Sequence, residues 1–132
     1  MSRILVVEDD KQYNNLLTYF LQAEGYEVTS ALNGREGLEF FERDQPDIVL
    51  TDIRMPKKDG LDLLLKFRSH AKCSPKGIIL MSGFGNTHND TYVESLKALG
   101  ATEFLQKPFE LVELKNLIEK ILDAANSGMV SA

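Results

Sequence analysis

The sequence predicts an α/β fold, a doubly wound five-stranded parallel sheet with helices on both faces. Two observations carry that prediction. Short apolar runs alternate five times with stretches whose apolar residues recur at helical spacing, a pattern that implies parallel strands joined by right-handed crossovers. Four of the five runs end in polar residues, namely Glu8 and Asp9, Asp52, Ser82, and Lys107. Those groups then share one rim, where open α/β sheets carry their chemistry. The 132 residues suffice for one domain with its own core.

Taken in order, Arg3 to Val7 reads as the first buried strand. Glu8, Asp9 and Asp10 follow, and acidic side chains suit the positive N-terminal end of the helix that comes next. Tyr13, Leu16, Leu17, Phe20 and Leu21 make one apolar face of that helix, which Gly25 ends. Tyr26 to Ala31 alternates weakly as a second strand, Asn33-Gly34 punctuates, and Leu38, Phe40 and Phe41 mark a second helix up to Asp44. Pro46 precedes the third strand, Ile48 to Leu50, which stops at Thr51 and Asp52. Pro56 and Gly60 then break the backbone out of regular structure, and Leu61, Leu64, Leu65 and Phe67 give a third helix that fades near Ser69.

Beyond the loop Ser74-Pro75-Lys76-Gly77, Ile78 to Met81 is a fourth buried strand ending at Ser82-Gly83. The polar stretch Gly85 to Asp90 delays a fourth helix, which carries Val93, Leu96 and Leu99 and stops at Gly100. Thr102 to Gln106 is a short fifth strand closed by Lys107-Pro108. Leu111, Leu114, Leu117, Ile118, Ile121 and Leu122 form a last amphipathic helix. The domain is expected to span residues 1–123, with a frayed tail or linker stub over 124–132.

Composition narrows the function classes. A net charge of -5 leaves no basic stripe to neutralise phosphates, so direct nucleic-acid binding by this domain is not expected. The single cysteine, Cys73, has no internal partner for a disulfide and fits a reducing cytosol. Glu8 interrupts the N-terminal apolar run too early for a signal peptide, and no apolar run approaches membrane-spanning length. The expectation is a soluble, cytoplasmic protein. His70 and His88 lie among polar residues and read as solvated side chains without a role.

The rim residues suggest a chemistry. Carboxylates crowded together repel one another and raise their proton affinities unless a cation is present. Hard oxygen donors of this kind suit Mg²⁺, which takes one or two carboxylates and keeps several waters. A lysine and a hydroxyl facing the same spot add donors for an anionic oxygen. A metal, a lysine and a hydroxyl around a free carboxylate make a site for phosphoryl transfer, with the carboxylate as nucleophile. Each residue alone has an ordinary explanation: Lys107 a solvated charge, Ser82 a helix cap, Glu8 and Asp9 first-turn dipole partners, Asp52 a turn-closing acid. Their convergence on one rim does not.

Val-Val-Glu-Asp-Asp, Thr-Asp-Ile-Arg-Met-Pro with Asp59-Gly60, Met-Ser-Gly, and Lys-Pro-Phe occur in this order along the chain. In these motifs residues 2 to about 123 resemble a receiver domain of the bacterial response-regulator family, of two-component and phosphorelay signalling. The resemblance implies a flavodoxin-like (βα)5 sheet of strand order 2-1-3-4-5. It implies Asp52 as the phosphoacceptor, charged by a histidine kinase or a histidine phosphotransfer protein. Asp9 would bind Mg²⁺ directly and Glu8 through water, with Asp52 and the backbone carbonyl of Arg54 as further ligands. Lys107 would contact a phosphoryl oxygen, across a Lys107-Pro108 bond that is cis in the family. Ser82 would be the switch hydroxyl and Phe104 the switch aromatic. Their rearrangement would bias a surface of the fourth helix, fifth strand and fifth helix toward a downstream protein or an attached output domain.

Three features depart from the family pattern. The interval from Ser82 to Lys107 is longer than many members show, and the excess falls in Gly85 to Thr91, so the fourth helix is expected to start late or to be displaced. Arg54 and Phe84 occupy positions that tune water access to the phosphoryl group, and a bulky Phe84 would shield it. The last helix, with Glu113, Lys115 and Glu119, lacks the arginine-rich pattern of one dimerising, DNA-binding subfamily. No turnover of an external substrate is expected. The alternatives are a degenerate receiver that binds partners without phosphorylation, a fragment of a longer regulator, and an aspartate-nucleophile phosphohydrolase. The last lacks its second acid, since Arg54 stands two residues after Asp52.

Overall fold

The computed structural model describes residues 2–53, 60–70, 74–82 and 90–126. Strands and helices alternate along the chain as β1 (Arg3–Val7), α1 (Lys11–Ala23), β2 (Glu27–Ala31), α2 (Gly34–Asp44), β3 (Ile48–Asp52), α3 (Gly60–Ser69), β4 (Gly77–Ser82), α4 (Asp90–Ala98), β5 (Glu103–Gln106) and α5 (Leu111–Asn126). The five strands form one sheet in the order β2-β1-β3-β4-β5, and every neighbouring pair is parallel. This is the expected doubly wound, flavodoxin-like arrangement.

The period of two along a strand divides the core into two layers. Leu5, Val7, Val49, Ile78 and Leu80 turn to one face, where Phe41 of α2, Leu63, Leu64 and Phe67 of α3 and Leu96 of α4 cover them. Ile4, Val6, Ile48, Leu50, Ile79 and Met81 turn to the other, against Leu17 and Leu21 of α1 and Leu114, Ile118, Ile121 and Leu122 of α5. Covered on both sides, β3 and β4 are buried at every position. This is why they read as continuous apolar runs without alternation. Register brings Val7 opposite both Ala31 and Thr51, Asp52 opposite Met81, and Ser82 opposite Gln106. The C-terminal strand ends therefore line up on one edge.

Local signals set the helix ends. Asp10 caps α1 by accepting from the Tyr13 N–H, and Asn33 caps α2 by accepting from the Glu36 N–H. Gly100 follows α4 at φ 120°, and a Cβ there would stand 2.5 Å from Cγ of Arg68. That arginine, extending from α3, donates to the carbonyls of Gly100 and Pro75 and to Oγ1 of Thr102. It ties α3 to both the β4 and β5 entrances.

Several expectations need correction. Gly60 does not end regular structure; it opens α3. Leu16 is 48% exposed, and Leu65 and Leu99 are exposed as well, whereas Leu63 is fully buried. Leu99 lies past the last residue of α4, where helical spacing no longer governs its direction. The His70 side chain is half-buried rather than fully solvated: its ring meets Phe41 edge-on at 5.5 Å, and Nε2 stands 3.4 Å from Glu42. Helix α5 continues to Asn126, beyond the Ala124 where a frayed tail is expected, and residues 127–132 lie outside the described residues. Helix α4 covers Asp90–Ala98, and most of the polar stretch expected to delay it, residues 83–89, lies outside the described residues. Cys73 and His88 also lie outside the described residues, as do Arg54 and Phe84.

Candidate functional site

The aligned strand ends deliver four side chains to one place. β1 runs out at Val7, so Glu8 follows directly; its N–H continues the ladder to the Ala31 carbonyl at 3.0 Å, and its side chain is buried. Asp9, next in the chain, is exposed. Asp52 is the last residue of β3, the central strand, and is 6% exposed. One carboxylate oxygen from each of Glu8, Asp9 and Asp52 lies within 4.8 Å of the others.

Lys107 enters from the end of β5. Its backbone N–H donates to the Ser82 carbonyl at 2.7 Å, one step beyond the β4–β5 pairing. The Lys107-Pro108 bond is cis, as expected. The ammonium donates to Oε1 of Glu8 at 2.5 Å and to Oδ2 of Asp52 at 2.8 Å. On a further side it stands 4.6 Å from the ring centroid of Tyr13. Ser82 is fully buried at the end of β4, beside Asp52 in the strand order. Phe104 pairs with Leu80 across β4 and β5 and packs, half-buried, against the α2–α3–α4 layer. Arg54 and Phe84 are not placed by the described residues.

Electrostatics follow from this geometry. Burial pushes the Glu8 carboxyl up to about 7; the bonds from Lys107 and from the Asp10 N–H work against that rise, and the Asp52 charge adds to it. Mutual repulsion alone predicts the direction, but desolvation is the larger cause. Burial pulls Lys107 down, yet its bonds to Asp52 and Glu8 outweigh it and the net direction is upward. The donor set fits a hard divalent cation on its own chemistry. Three carboxylate oxygens converge, Asp9 keeps one side open to water, and the lysine ammonium between two of the acids shows a cluster that already favours positive charge.

Two residues of α1 that the motifs do not include also border the site. Asn14 is buried, and its Nδ2 donates to the carbonyls of Glu8 at 3.1 Å and Ala31 at 2.9 Å. It thereby stitches the turn that carries the acidic pair to the end of β2. Its signal was readable: Asn14, Leu17 and Leu21 are the buried residues of α1, at spacings of one and two turns. Tyr13 belongs to the apolar face expected of α1, but its ring also borders Lys107 and meets Phe109 edge-on at 6.2 Å.

Residues 4–119 match the family described as Response regulator receiver domain. Among curated proteins, the regulatory protein AtoC of Escherichia coli is 38% identical over 122 residues, which are 92% of this chain and 25% of that protein. The chain spans from a quarter to little more than half the length of the first curated relatives it matches. A CheY-like response regulator receiver domain protein from Methanospirillum hungatei superposes with a TM-score of 0.86 at 28% identity, covering 97% of this chain and 98% of that one. The response regulator TrrA of Thermotoga maritima, solved in complex with Mg(2+)-BeF, gives 0.76 at 36% identity, covering 92% and 99%. Among the described residues, no helix is long and apolar enough to cross a membrane.

Proposed function

Since the chain belongs to the response regulator receiver domain family, a family of signalling domains, we propose that it is a phosphorylation-dependent switch whose acceptor is Asp52. The observation that supports this most is the carboxylate of Asp52 at the tip of β3, with the Lys107 ammonium on its Oδ2 and two further carboxylates in reach. A carboxylate in that position can attack phosphorus. One of its oxygens forms the new bond as the bond to the donor's leaving atom breaks, and the leaving group departs with the electron pair. The donor in this reading is a histidine kinase or a histidine phosphotransfer protein.

Lys107 then turns from the two acids to an oxygen of the transferred group, where its charge offsets the charge that accumulates. Glu8, Asp9, Asp52 and the Arg54 carbonyl are the residues that would hold Mg²⁺. When bound, the ion supplies positive charge that offsets repulsion between the carboxylates and an incoming phosphoryl group. Ser82 serves as the switch hydroxyl and Phe104 as the switch aromatic, with the α4–β5–α5 surface as the output read by a downstream protein or an attached domain. Phe84 and Arg54 tune water access to the acyl phosphate.

The test is intact mass after incubation with Mg²⁺ and a small acyl-phosphate donor, wild type beside Asp52→Ala. Gain of one phosphoryl group by the wild type, lost in the variant and without metal, is the expected result. No gain with any donor would overturn the reading in favour of a phosphorylation-independent binding module.

A further inference from the structure

The environment of Lys107 has one side that the acids do not account for. The ammonium carries three donors; Glu8 and Asp52 take two directions, and the ring of Tyr13 closes another at 4.6 Å. We propose that Tyr13 is a positioning residue for Lys107, its ring face holding the ammonium in the acidic pocket by a cation–π contact. The proposal rests on the reading of Asp52 as phosphoacceptor and adds to it a residue that the acid, hydroxyl and lysine set does not contain.

The ring is well placed for this task. The Tyr13 N–H is the donor that Asp10 accepts at the N-cap of α1, so its backbone is fixed one turn beyond the acidic pair. Phe109 meets the ring edge-on, and Phe109 lies two residues beyond Lys107. Tyr13 thus touches the Lys107 segment twice, once at the charge and once at the aromatic anchor that follows it. Burial also raises the Tyr13 hydroxyl above its ordinary range, so the residue stays a neutral ring at working pH.

A neutral aromatic face does something here that a third carboxylate could not. It attracts the ammonium through the ring quadrupole without competing for its protons. When the Asp52 oxygen becomes bonded to phosphorus, the acid loses its claim on the lysine, and the ammonium must find a phosphoryl oxygen rather than swing into solvent. The ring restricts that swing. An aliphatic residue of similar size would fill the same space and leave Glu8 alone to hold the charge.

The experiment compares the full chain as wild type, Tyr13→Phe and Tyr13→Leu. Two quantities are read: the rate of phosphoryl gain at Asp52 by intact mass, and the NMR shift of the Lys107 ε-methylene protons, which a ring face displaces upfield. Expected is a Tyr13→Phe protein close to wild type in both, and a Tyr13→Leu protein about three- to tenfold slower, with the upfield displacement gone. If Tyr13→Leu does not fold, Tyr13→Met is read against the same two outcomes. An aliphatic variant as fast as wild type overturns the proposal and leaves the receiver reading intact. So does a Tyr13→Phe protein as slow as Tyr13→Leu, which would assign the effect to the hydroxyl. A wild type that gains no phosphoryl group overturns both readings, and is told apart by failing before any variant is compared.

Discussion

The Nζ of Lys107 and the Oδ2 of Asp52 stand 2.8 Å apart although 55 positions separate them in the chain. The same ammonium serves Glu8 across 99 positions. One cation therefore compensates two acids that are almost out of water, and each member of the trio depends on the others.

Lys107→Ala should for that reason destabilise the fold as well as impair function. The expected loss is about 2 kcal/mol, below the figure for a fully buried pair because Lys107 keeps some exposure. Urea unfolding in metal-free buffer measures it. Added Mg²⁺ should return part of the loss by replacing the missing charge, and a midpoint indifferent to Mg²⁺ would count against a cation site here.

Stability should also depend on pH through Glu8. Its carboxyl is held at about 7 in the folded chain against an ordinary 4.5, so the folded state keeps a proton that the unfolded state has already released. The sign follows: the contribution to stability falls as pH rises through that interval and levels above it. The total is roughly 3 kcal/mol at 1.36 kcal/mol per pKa unit. Metal-free unfolding of wild type and Glu8→Gln on either side of the interval checks it, and the variant should lack this component of the slope.

Asn14→Leu should loosen the turn that presents the acidic pair. The change leaves the carbonyls of Glu8 and Ala31 without the amide that bridges them, at an expected loss of about 1–3 kcal/mol. Mg²⁺ affinity should fall with it, by more than in a core variant of equal stability. Titration calorimetry against the unfolding midpoint separates the two effects.

Gly77→Ala tests the packing of the opposite end of the sheet. A Cβ at Gly77 would stand 2.7 Å from Cγ2 of Ile121, so α5 must shift outward or the isoleucine must turn. The expected destabilisation is about 1–3 kcal/mol by overpacking. Because Gly77 begins β4 and Ser82 ends it, phosphoryl gain by the folded fraction should remain near wild type.

The strand ends were legible in the sequence because burial on both faces forces β3 and β4 into unbroken apolar runs, and each run stops where polarity returns, at Asp52 and at Ser82. Helix faces were less so. Leu64 and Leu65 are equivalent by hydropathy, but only the direction of the sheet decides that Leu64 is buried and Leu65 exposed. The spacing of Asn14 from Leu17 and Leu21 puts it on the buried face, but what its amide does there depends on its partners, the ends of two strands. Tyr13 reads as core by its spacing, which it partly is; its contact with Lys107 depends on a residue 94 positions away. The polar sequence neighbours of His70 suggest a solvated ring, whereas its neighbour in space is Phe41 of another helix.

The backbone bond from Lys107 to the Ser82 carbonyl has a bearing on quality control. It makes the lysine and the serine adjacent rungs of one ladder, their distance set by strand spacing of about 4.8 Å rather than by rotamer choice. A one-residue slip of β5 along β4 would exchange the faces of Phe104 and Leu105 and carry Lys107 away from both acids in the same step. Assembling the sheet in register and bringing the lysine to the acids are then a single event.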